Sequence, residues 1–182
     1  TPGVEHRLLL DGEPGEVVDG FAAYEDALAG ASPEPLADRV AGADMLYSSG
    51  TTGRPKGIET KVAGVPLETP TGVSVLAQAL LGFTEGIVYL SPAPLYHAAP
   101  LRFSMAAHQA GGTVVVMERF DAEAALAAIE AHRATHSQWV PTMFLRMLKL
   151  PDEVKARHDV SSMQMMVHAA APCPVPAKRA II

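Results

Sequence analysis

The stretch GIVYLSPAPLYHAAPLRFSMAAHQAGGTVVVM, residues 86–117, passes from an apolar run to a helix-spaced segment and back to an apolar run. GIVYLS (86–91) has the continuous apolar character of a buried strand, LRFSMAAHQA (101–110) spaces its apolar residues as a helix does, and TVVVM (113–117) is a further strand. Parallel strands need a crossover of this kind between them, whereas antiparallel strands can be joined by a tight turn. The alternation runs on in both directions. MLYSS (45–49) reads as a short strand and GVSVLAQALLGF (72–83) as a helix. Downstream, DAEAALAAIEAHR (121–133) reads as a helix with Asp121 as its N-cap, HSQWV (136–140) as a strand, PTMFLRMLKL (141–150) as a helix and MQMMVH (163–168) as a strand. The expected fold is α/β, a largely parallel sheet covered by helices on both faces. Ligands of such sheets sit beyond the carboxyl ends of the strands, which places there the loop that follows MLYSS.

Composition narrows the function classes. With 182 residues, 48% hydrophobic and 19% charged, the chain reads as one soluble globular domain or part of a larger one. The net charge of −6, from 14 Lys and Arg against 20 Asp and Glu, offers no broad basic face to nucleic acid or an anionic membrane. Cys173 is the single cysteine, and there is neither a leader-like segment nor an apolar run long enough to span a bilayer, so a reducing cytoplasm is the expected compartment. The chain begins at Thr1 and stops in VPAKRAII, where Pro176 reads as the first turn of a helix; the expectation is a fragment. GASPEPLAD (30–38) reads as a surface linker, with 1–43 as lead-in and linker and 44–182 as the core region.

Behind the short strand stands YSSGTTGRPKGI (47–58). Gly50, Gly53 and Gly57 free the backbone to turn and approach a ligand, Ser48, Ser49, Thr51 and Thr52 set hydroxyls beside backbone N–H groups, and Lys56 adds a mobile positive charge. These are the attributes of a polyphosphate cradle. A Walker A loop is excluded because Gly53 is followed by Arg-Pro-Lys-Gly, and no G-x-G-x-x-G occurs.

The segment Ser48–Gly57 resembles throughout the signature [ST]-[ST]-G-[ST]-T-G-x-P-K-G of the adenylate-forming AMP-binding superfamily: acyl-CoA synthetases, luciferases and peptide-synthetase adenylation domains. The resemblance implies that the chain is part of the large N-terminal domain of such an enzyme. It also implies that the loop holds the β- and γ-phosphates of ATP, with Thr51, Thr52 and Lys56 as the foremost phosphate contacts and Thr52 beside Mg2+. SPAPLYHAAPL (91–101) resembles the family's P-[LM]-[FY]-H motif, in which Tyr96 and His97 would lie between acyl pocket and nucleotide. The histidine tilts the resemblance towards CoA ligases. On its own chemistry His97 could orient a carboxylate or close a channel, or be no more than a histidine at a helix start.

Two further segments extend the resemblance. MVHAAAPCP (166–174) is similar to the family's S-G-[GA]-A-P-L segment, implying adenine contacts at Ala170, Ala171 and Pro172, with alanine in place of glycine at Ala169. HSQWVPTMFLRML (136–148) resembles the family strand and helix bordering the acyl pocket, so Trp139, Val140, Thr142 and Met143 are either pocket residues or plain core. Relatives often carry a histidine shortly after the K-G of the loop; here Lys61 stands in that region and the next histidine is His97.

Other chemistries find less support. Cys173 and His168 lie on the element assigned to nucleotide contact, GVSVL lacks the closing glycine of a serine-hydrolase elbow, and His132 and His136 span a helix end without a neighbouring glutamate. PDEVKARHD (151–159) reads as a solvated helical face.

The resemblance implies activation of a carboxylic acid, foremost a fatty acid, to an acyl-adenylate and then a CoA thioester. The small molecules required are the acid, ATP, Mg2+ and coenzyme A, and a homodimer is an admissible assembly. The family's magnesium-ligand, ribose-binding and C-terminal lysine motifs would lie beyond Ile182, so the 182 residues alone are expected to be inactive. Two alternatives stay open: an adenylating enzyme with an acceptor other than CoA, such as a carrier protein, and a non-catalytic nucleotide-binding module.

Overall fold

The computed structural model describes residues 3–10, 18–48, 55–59, 61 and 64–181, with the backbone alone at Ser48. The chain divides into two compact units, Thr1–Val40 and Ala41–Ile182. In the first, β1 (Leu8–Leu9) pairs in parallel with β2 (Ala22–Ala23), which leads into α1 (Tyr24–Ala29); the sequence pattern had nominated none of these. Residues 30–38 are exposed throughout.

The second unit opens with β3 (Leu46–Ser48) and β4 (Lys56–Ile58) and continues through α2 (Gly72–Leu80), β5 (Val88–Ser91), α3 (Ala98–Gln109), β6 (Thr113–Val116), α4 (Ala122–His132) and β7 (His136–Trp139). It closes with α5 (Pro141–Leu148), α6 (Asp152–Lys155), β8 (Met165–His168) and α7 (Val175–Ile181). Strands β6, β5, β7 and β8 stand in that order, parallel throughout, as the helix-length connections require.

Local chemistry sets the helix ends. Asp121 Oδ1 accepts from the backbone N–H of Glu123 and Ala124 at 3.1 and 2.9 Å, satisfying two donors that the first turn of α4 leaves free. Thr71 caps α2 by accepting from Ser74 N at 3.2 Å, and Pro141 occupies the first turn of α5, where its missing N–H costs nothing. Helix α3 starts at Ala98, earlier than the spacing of 101–110 suggested, because Pro100 is tolerated in a first turn.

Each strand of the parallel sheet sorts its side chains by alternation. Leu90 and Trp139 join Ile129, Phe144 and Met147 in the core on one face, while Tyr89 joins Phe83, Ala106 and Ala107 on the other. Strand β7 is buried at all four positions although three are polar. Those side chains bond to backbone carbonyls: His136 Nε2 to Leu81 at 3.0 Å, Ser137 Oγ to Leu90 at 2.6 Å and Gln138 Nε2 to Trp139 at 2.8 Å. Burial of polar groups is tolerable when they are bonded in this way.

One expectation is corrected. Strand β3 does not feed the parallel sheet; it pairs antiparallel with β4 in a separate two-stranded sheet, with Leu46 opposite Ile58, Tyr47 opposite Gly57 and Ser48 opposite Lys56. Seven residues separate the two strands, too few for a parallel crossover and enough for a hairpin.

Candidate functional site

The hairpin β3–β4 clamps the glycine- and hydroxyl-rich segment at both ends, since Ser48 and Lys56 face each other across the ladder. Ser49, Gly50, Thr51, Thr52 and Gly53 lie outside the described residues, as does the side chain of Ser48. Lys56 is exposed, leaving its charged head free to reach a ligand. Gly57 is exposed on β4. A Cβ there would stand 2.6 Å from Met45 Cε and 3.2 Å from the Tyr47 ring, so a larger residue would press on these two side chains of the hairpin.

The remaining nominated residues cluster by topology. Parallel pairing aligns the carboxyl ends of β5, β7 and β8, and the segments that follow them emerge at one edge of the sheet. From β5 come Tyr96 and His97, both exposed, with ring centroids 4.6 Å apart. His97 is the N-cap of α3, but its side chain makes no capping bond, which leaves the imidazole available at the edge. From β7 come half-buried Val140 and exposed Thr142. From β8 come Ala170, Ala171 and Pro172, all exposed, and the backbone N–H of Ala169 donates to the Trp139 carbonyl at 3.1 Å, holding that segment beside the one following β7.

Trp139 and Met143 point elsewhere. Trp139 is fully buried, packed against Phe120 and Phe144 with centroids 6.3 and 6.0 Å away, and Met143 belongs to the same core. Ala170 has a φ of 72°, a left-handed conformation uncommon for a residue with a Cβ. The departure from glycine read in the sequence is at Ala169, and the left-handed backbone is at the next residue, Ala170.

A cavity of about 740 Å³ lies elsewhere in this unit, lined by Ala41–Asp44, Lys61, Val65, Thr69–Val73, Arg102 and Met105. Across it Arg102 Nη2 donates to Asp44 Oδ2 at 2.9 Å. Neither residue was nominated from sequence, because a pair separated by 58 positions leaves no local pattern.

Among the described residues no three His, Cys, Asp or Glu side chains come together as a metal site. Thr52, which the resemblance places beside Mg2+, lies outside the described residues. No helix of the described residues is long and apolar enough to cross a membrane.

Comparison with known proteins adds to this geometry. A model of the family described as AMP-binding enzyme matches residues 4–181. A 4-coumarate–CoA ligase 5 of Oryza sativa subsp. japonica is 34% identical over 173 residues, covering 91% of this chain and 30% of that relative. A 2-succinylbenzoate–CoA ligase of Bacillus pumilus is 33% identical over 134 residues, covering 73% of this chain and 25% of that relative. The chain thus spans less than a third of either. The inhibitor-bound N-terminal domain of FACL13 from Mycobacterium tuberculosis superposes with a TM-score of 0.70 at 25% identity, over 85% of this chain and 38% of that one. ATP-bound MatB from Rhodopseudomonas palustris superposes with a TM-score of 0.66 at 29% identity, over 88% and 31%.

Proposed function

Because the chain belongs to the family of AMP-binding enzymes, we propose that it is the phosphate-loop portion of an acid–thiol ligase that activates a carboxylic acid, foremost a fatty acid, with ATP and passes it to coenzyme A. The observation that carries this reading is the unbroken match of Ser48–Gly57 to the phosphate-loop signature, on a hairpin that closes both ends of the loop. The CoA ligases among its relatives and the ATP-bound structural neighbour support it.

In the first half-reaction a carboxylate oxygen attacks the α-phosphorus and the bond to the β,γ-pyrophosphate breaks. Negative charge accumulates on the leaving pyrophosphate. The N–H groups and hydroxyls that the loop offers, with the Lys56 ammonium, would stabilise it. His97 and Tyr96 stand at the carboxyl edge, where His97 donates to or orients the acid. Ala170, Ala171 and Pro172 present small side chains and backbone to the adenine, while Val140 and Thr142 border the acyl group. In the second half-reaction the CoA thiolate attacks the acyl carbon and AMP leaves. Mg2+ would share the phosphate charge with ligands contributed from outside the described residues. A reducing cytoplasm, consistent with the single cysteine, completes the proposal.

ATP–pyrophosphate exchange by the full-length protein, with short, medium, long-chain and aromatic acids, tests the reading. The expected result is exchange with a fatty acid, conversion to thioester on adding CoA, and a loss of at least about a hundredfold in Lys56→Ala. Exchange restricted to aromatic acids would remove the fatty-acid assignment. A folded protein that binds ATP but exchanges with no acid would remove the ligase.

A further inference from the structure

We propose that Asp44 and Arg102 form a positioning pair that holds the phosphate-loop hairpin in register with the helix carrying His97 at its N-terminus, a proposal that rests on the ligase reading above. Asp44 stands two residues before β3, and Arg102 stands five residues beyond His97, on the same helix. Their hydrogen bond, 2.9 Å long, joins the element bearing the loop to the element bearing the histidine. Both side chains are only partly exposed, 24% for Asp44 and 39% for Arg102.

An exposed ion pair ordinarily contributes little, and what raises the importance of this one is the open cavity beside it. The cavity of about 740 Å³ separates the segment leading into β3 from the N-terminus of α2 and the flank of α3. On the hairpin itself Tyr47 and Ile58 are exposed and Leu46 is half-buried, so among the described residues apolar burial contributes little to holding its position. An oriented, charge-assisted hydrogen bond from a guanidinium supplies the direction that dispersion contacts would otherwise supply. The chemistry makes that direction matter: the acid held near His97 must come within about 3–3.5 Å of the α-phosphorus of an ATP whose β- and γ-phosphates the loop holds, and a displacement of about 1 Å between the groups that hold them can cost two orders of magnitude in rate.

The test uses the full-length protein with Asp44→Asn, Arg102→Gln, the milder Arg102→Lys and the exchanged pair Asp44→Arg with Arg102→Asp. Amide hydrogen exchange at 46–48 and 56–58, the ATP dissociation constant and the melting temperature are measured together. Expected are about tenfold faster exchange in the hairpin and about fivefold weaker ATP binding in Asp44→Asn and Arg102→Gln, with the melting temperature nearly unchanged and both effects reversed to within about twofold in the exchanged pair. Single variants that fold and leave exchange and affinity at wild-type levels overturn the proposal, as does an exchanged pair that restores neither. Should Asp44→Asn or Arg102→Gln fail to fold, Arg102→Lys and the exchanged pair carry the same comparison. If the unaltered protein binds no ATP, the functional reading fails instead, and hairpin exchange alone decides whether the pair positions the hairpin.

Discussion

At the scale of single residues, Ala170 concentrates the tension between stability and a candidate site. Its φ of 72° places a Cβ where left-handed backbone crowds it, at a cost of about 1–2 kcal/mol. Ala170→Gly is expected to raise stability to urea by about 0.5–1 kcal/mol net of the extra entropy of the unfolded chain, and Ala170→Val to lower it by about 1–2 kcal/mol. If Ala170→Gly also weakens ATP binding, the alanine contributes to adenine contact beyond its backbone. The small residues of this segment were legible from the sequence by resemblance. The sign of one φ was not, since it depends on how the segment leaves β8 beside Trp139.

At the scale of elements, β7 and the turn into β6 invite direct tests. Trp139 is fully buried among Phe120 and Phe144, so Trp139→Ala is expected to cost about 3–5 kcal/mol, whereas exposed Thr142→Ala should fall within about 0.5 kcal/mol of wild type. A denaturant midpoint for each variant, read beside its acid preference, separates core from pocket: Trp139→Ala should lose stability without changing which acid is preferred. Gly112 sits where a Cβ would come within 2.6 Å of Ile87 Cγ1 and 3.1 Å of the Ala107 carbonyl, as the chain passes from α3 into β6. Gly112→Ala is expected to destabilise by about 1–3 kcal/mol, measured by the same denaturation. From residue 72 onward the strands and helices were readable one by one, because period and caps are local properties, whereas β4 reads in sequence as part of the loop. Pairing partners were not readable: the strand character of residues 46–48 does not say whether they join the parallel sheet or, as observed, pair antiparallel with β4.

At the scale of the molecule, buried His136 couples the fold to pH. Burial pushes its pKa below the ordinary 6.5, against a smaller opposing pull from its hydrogen bond to the Leu81 carbonyl. The native state therefore binds fewer protons at this site than the unfolded chain. Its contribution to stability is fully present above pH of about 6.5 and is lost as pH falls from there through the lower folded-state value. Asp159 acts in a more acidic window, its pKa held down to about 2 by hydrogen bonds from Ser161 and Arg133, so its contribution fades as pH falls through that value. Urea midpoints measured between pH 7.5 and 5 are expected to fall with acidification, and His136→Gln should flatten that slope. An unchanged slope in the variant would assign the acid sensitivity elsewhere.

The sequence by itself determined the α/β class, the individual strands and helices from residue 72 onward, the Asp121 cap and the phosphate-loop signature, because each is written in neighbouring residues through periodicity, capping chemistry or a contiguous motif. Only the tertiary structure decided the order β6-β5-β7-β8, the separate pairing of β3 with β4, the burial of Trp139 and Met143 and the meeting of Asp44 with Arg102. Apart from the β3–β4 hairpin, whose partners are near in sequence, these depend on contacts between residues far apart in the chain, where packing density and hydrogen-bond satisfaction across the whole unit select one arrangement from several that local patterns permit.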